Sequence, residues 1–165
     1  MNDVVDLFRA ARGRLAGAPR ETLGVWHVPK KVLGLGGTPR IVSDGEAWHV
    51  GTLLIADGFV ASVGEVSRVQ DPGRRGYAAE SARERAEIRA AALRGRIPEG
   101  AIVHLGWDVI DVDAVAAGGT SGPLVGGDEP QIRWSMSGGL MPLSAYLTER
   151  IDLLLAPPRG AGGAF

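Results

Sequence analysis

Residues 47–66, read AWHVGTLLIADGFVASVGEV, decide the fold. Two β-rich runs, 47–55 and 59–66, flank Asp57-Gly58, a dipeptide suited to the positive-φ positions of a tight hairpin turn. The same texture continues toward the N-terminus in the short runs 23–28, 32–35 and 40–42, with Asp44-Gly45 read as a second hairpin turn. An antiparallel β meander over 22–69 is the prediction.

On either side the apolar period changes to that of a helix. Val4, Leu7, Phe8, Ala11 and Leu15 recur at helical spacing, which predicts a helix over 3–16 capped by Asn2 or Asp3 and ended by Gly17 and Pro19. Past a linker at 71–76, Ser81-Ala82-Arg83-Glu84 has capping-box spacing, and Ala82, Ala86, Ala90 and Leu93 form a narrow stripe, predicting a helix over 79–94. A second β region, 101–136, surrounds a glycine-rich stretch at 118–127. Pro142 opens a C-terminal helix over 142–155 with Leu143, Tyr146, Leu147, Ile151, Leu154 and Leu155 as its stripe, and a frayed tail follows over 157–165. The sum is a single α+β domain, 1–165: a mostly antiparallel sheet or small, partly open barrel of about six to eight short strands, packed by two or three helices.

Composition narrows the function classes. The 165 residues contain no cysteine, which removes disulfide scaffolds, thiolate zinc sites and thiol nucleophiles. Eighteen basic against nineteen acidic side chains leave a net charge of −1, so binding to nucleic acid is disfavoured. The N-terminus has no basic and apolar leader pattern, and no apolar run approaches the ~18 residues of a membrane span. No membrane partner is expected, and the cytoplasm is the expected compartment. Arginine supplies sixteen of the eighteen basic residues, and Lys30 and Lys31 are the two lysines.

The most specific motif is an echo, Trp26-His27-Val28 and Trp48-His49-Val50, with His104 in a third strand-like run beside Trp107. Neighbouring residues on a strand point to opposite faces, so tryptophans turned to the core would turn His27 and His49 the other way. His27, His49 and His104 are therefore candidate metal ligands, with Asp108, Asp111 or Asp113 as the fourth donor of a zinc, manganese or iron site. The plainer reading makes them rim or hydrogen-bonded core histidines, since H-x-H and HExxH spacings are absent.

Asp111 and Asp113 share one face of a predicted strand, and with the three histidines they are the candidates for acid–base catalysis. As a wet strand face they would also discourage edge pairing. Trp26, Trp48 and Trp107, with Arg74 and Arg75 from an arginine-rich stretch over 74–96, are the candidates for ligand contact. That stretch also reads as a solvated helix face, because no aromatic residues interleave with its arginines.

Residues 118–125, GGTSGPLV, resemble the nucleophile segment of chymotrypsin-like serine proteases. Thr120 occupies the nucleophile position and Ser121 the following glycine, so no protease is assigned. No cofactor is assigned either. The expectation is a binding or interaction module that self-associates through its C-terminal helix. A small metal-dependent or acid–base enzyme using a His/Asp cluster on the sheet is the alternative, and enzymatic activity is left undecided.

Overall fold

A computed structural model describes residues 3–69 and 79–158. Its elements run α1 (Val4–Leu15), β1 (Glu21–His27), β2 (Arg40–Val50), β3 (Leu53–Ile55), β4 (Val60–Ser62), β5 (Glu65–Arg68), α2 (Ala79–Arg94), β6 (Ile102–Leu105), β7 (Asp108–Val109), α3 (Val112–Ala116), β8 (Thr120–Ser121), β9 (Leu124–Val125), β10 (Gln131–Arg133), β11 (Leu140–Pro142) and α4 (Leu143–Leu155). One sheet has the order β5-β6-β1-β2-β3-β4-β7 and the other β11-β10-β9-β8. Among the described residues, every strand pair is antiparallel except β1 with β6. The fold of the described residues is α+β and mostly antiparallel as expected, with two sheets that do not close into a barrel and four helices.

By contacts the chain forms two compact units. The first comprises Met1–Arg20, Trp48–Ser62 and Asp108–Phe165. Its core gathers Val4, Phe8, Ala11 and Leu15 of α1 with Leu53, Ile55 and Val60 of the hairpin and Leu143, Tyr146, Leu147 and Ile151 of α4. Helix α1 begins where the Asp3 carboxylate accepts the Val5 N–H, satisfying one of the amides that a helix start leaves unbonded. The β3–β4 turn falls at Asp57-Gly58 as read from the sequence, closed by Ala56 N–H donating to the Phe59 carbonyl. The β2–β3 turn is Gly51-Thr52, where the Thr52 N–H donates to the Tyr146 hydroxyl at 2.8 Å. In α4, Leu153, Leu154 and Leu155 remain partly exposed, so the predicted stripe is buried only as far as Ile151.

Two expectations for this unit are corrected. The predicted strand carrying Asp111 and Asp113 ends at Val109, because the Asp111 carboxylate accepts the Ala114 N–H and so starts helix α3. Asp111 and Asp113 therefore do not share a strand face. The glycine-rich stretch is also not simply a loop, since β8 and β9 pair within it around Gly122 at φ 53°.

The second unit comprises Glu21–Ala47 and Val63–Trp107. Its core is Ile41, Val69, Ile88, Ala91, Ala92, Ile97, Val103 and Leu105. The buried face of α2 is Ile88, Ala91 and Ala92; Ala82, Ala86 and Leu93 of the predicted stripe are exposed. Ile88 offers more apolar area than any alanine of that stripe, so it sets which face turns inward. Asp44-Gly45 is not a hairpin turn but lies within β2, where these two residues oppose the single residue Leu23 of β1 and Gly45 takes φ 115°. An Asp-Gly pair serves such a bulge as well as a turn. Arg74, Arg75, the linker at 71–76 and the tail beyond 158 lie outside the described residues.

Candidate metal centre

The site forms where β1, β2 and β6 run side by side. The parallel pairing of β1 with β6 sets Leu23 beside His104, and the antiparallel pairing of β1 with β2 sets Glu21 opposite Ala47. Paired residues share a face and alternate residues return to it, so Glu21, Leu23, Ala47 and His104 all address one side of the sheet. β2 is unbroken through this region, and His49 stands two residues beyond Ala47.

His104 is fully buried, and its Nε2 meets the Glu21 carboxylate. The ligand atoms of Glu21, His49 and His104 all lie within 4.8 Å of one another. Glu21 and His49 are half-buried, so the cluster runs from the interior to the surface. His49 Nε2 lies 2.9 Å from the Gly51 carbonyl. With Nε2–H donating there, the lone pair of the neutral ring sits on Nδ1, which is how metal-binding imidazoles are commonly oriented.

His27 takes no part. In an antiparallel pair the two tripeptides of the echo fall at opposite ends: His27 closes β1 opposite Arg40, whereas His49 lies near the Glu21 end. Six residue steps along β1 separate His27 from Glu21, roughly 20 Å at the usual rise. Trp48 is buried, but Trp26 is exposed, so only one tryptophan of the echo faces a core. Trp107 is half-buried and donates its indole N–H to the Gly24 carbonyl at 3.1 Å.

Asp111 and Asp113 lie elsewhere, along a groove of about 370 Å³ lined also by Phe8, Arg12, Phe59 and Ile110 and by no histidine. Arg12 is committed there to the carbonyls of Ala56 and Phe59, and burial lowers its pKa.

Glu21 is the member of the cluster that sequence reading missed. It precedes the apolar run at 23–28 and looks like a strand flank. Its signal is parity with Leu23, which becomes informative only when the β1–β6 register is known. A carboxylate with two imidazoles is a donor set that zinc, iron(II) and manganese accept. Tested against protein-family models, curated proteins and solved structures, the chain matches none of them, so its function rests on this geometry.

Proposed function

We propose that this chain is a binding module for a divalent transition-metal ion, held by the Glu21 carboxylate and the imidazoles of His49 and His104. The observation that carries the reading is the convergence of three such donors within 4.8 Å, one of them on a fully buried histidine. A tetrahedral ion with bonds near 2 Å wants its ligand atoms about 3.3 Å apart, so modest side-chain rotation closes the set around an ion. Three protein ligands leave coordination positions for water or a small ligand, as metal sites open to chemistry do.

The test is a titration of the purified, chelator-treated chain with cobalt(II), followed by its visible absorption. The expected result is one ion per chain with a spectrum of low coordination number, displaced by zinc. His49→Ala and Glu21→Gln should each weaken binding by about tenfold to a hundredfold or more. Both sites are half-buried, so these variants test the ligands without emptying a core. A chain that takes up no cobalt, or variants that bind as the parent does, would overturn the proposal.

A further inference from the structure

Between β1 and β2 the chain projects an arm, residues 28–39, whose apolar side chains are left in solvent. Leu33 is 97% exposed, Leu35 83%, Val28 68% and Val32 66%, and Trp26 lies half-exposed at the base of the arm. The tip is a tight turn in which Val32 and Leu35 exchange backbone hydrogen bonds at 3.3 and 3.1 Å. Its two central residues, Leu33 and Gly34, have φ 54° and 75°. Asparagine or glycine is the ordinary choice for a left-handed position in such a hairpin, and a branched aliphatic residue is strained there. The arm therefore carries two local costs at one residue: an unfavourable backbone conformation and an apolar side chain presented to water.

The charge of the arm indicates what offsets them. Lys30 and Lys31, the two lysines of the protein, lie between the exposed valines, Arg40 follows, and no acidic residue occurs from 22 through 43. The base is tied down by Arg94, whose Nε and Nη2 donate to the Pro39 carbonyl at 3.1 and 2.7 Å. Exposed aliphatic residues with interspersed lysines and a tryptophan at their base match the layered chemistry of an anionic lipid interface, with acyl chains below and phosphates above. A second copy is a poorer match, because two such arms present like charge to each other. We propose that residues 28–39 dock this protein on an anionic lipid surface, Leu33 and Leu35 entering the acyl boundary and Lys30 and Lys31 meeting the headgroup phosphates. The protein needs no membrane span for this, and no described helix is long and apolar enough to form one.

The test is co-sedimentation of the whole chain with vesicles of phosphatidylcholine alone and of phosphatidylcholine mixed with phosphatidylglycerol. The expected result is pelleting with the mixed vesicles only, weakening as salt rises. Reversing each lysine, Lys30→Glu or Lys31→Glu, should lower partitioning by about fivefold or more. The double change Leu33→Asn with Leu35→Ser should abolish it, and asparagine suits the turn, so an unchanged melting curve would show that the fold is kept. Equal pelleting with both vesicle types, or variants that pellet as the parent does, would overturn the proposal. Concentration-dependent association without lipid that the double change removes would also overturn it, identifying a second copy as the occupant.

Discussion

Arg20 lies over the Trp48 ring, 3.9 Å from its centroid, and donates to both Asp57 carboxylate oxygens at 2.8 and 2.9 Å. The hydrogen bonds from Arg20 hold the Asp57 carboxyl below its ordinary range, and the charges of Arg20 and Arg12 add to the effect. A carboxyl that is more acidic folded than unfolded contributes stability above the ordinary aspartate pKa and loses it as pH falls through the lower, folded value. Asp57→Asn should therefore melt slightly below the parent at neutral pH, and the gap should narrow as pH falls below about 4. The effect is small, because the carboxylate is exposed and solvent screens the pair. Thermal melts of both proteins from pH 7 to pH 3 measure it, and a gap independent of pH would refute the assignment. The same scale shows what sequence reading can reach at the metal site. His49 and His104 stand out because the chain has three histidines, but the role of Glu21 depends on which strand lies beside β1.

Gly95 follows the last turn of α2 where helix and strand backbones nearly touch. A Cβ there would lie 1.6 Å from the Ile41 carbonyl oxygen and 2.6 Å from its carbon, so the helix end would have to move off β2. Gly13 is the opposite case, within α1 and with nothing near its would-be Cβ. Gly95→Ala should cost about 3 kcal/mol or more through overpacking against backbone, whereas Gly13→Ala should gain about 0.5–1 kcal/mol. Urea unfolding of the two variants checks both signs, and a tolerated Gly95→Ala would mean that helix and strand are not in close contact there. In the sequence the two glycines look alike, as a helix stop and a helix blemish. Elements were legible where one local signal sufficed: the apolar stripe of α1, the Asp57-Gly58 turn, the four leading stripe residues of α4. They were misread where two conformations compete for the same residues. Asp44-Gly45 serves a bulge as readily as a turn, and Asp111 serves a helix cap as readily as a strand, with the outcome set by the partner strand or the next turn of backbone.

Without cysteine no disulfide reinforces the native state, and small domains keep a margin of only about 5–15 kcal/mol. Anything that binds the folded chain and not the unfolded one must raise that margin. The donors of the proposed centre come from β1, β2 and β6, at positions 21, 49 and 104, so the unfolded chain does not hold them together. An ion at about a hundred times its dissociation constant then adds roughly 2.7 kcal/mol. For a chain of this length that raises the melting midpoint by about 5–10 °C. The expected outcome is a midpoint raised by zinc, restored by chelator, and insensitive to zinc in Glu21→Gln. Magnesium should do little, because it prefers water and oxygen ligands to imidazole. If zinc leaves the parent unchanged while the chain is otherwise well folded, Glu21 and His104 form a polar pair that serves packing alone. If Glu21→Gln responds to zinc as the parent does, the ion binds elsewhere, and the convergence of the three side chains has no part in it.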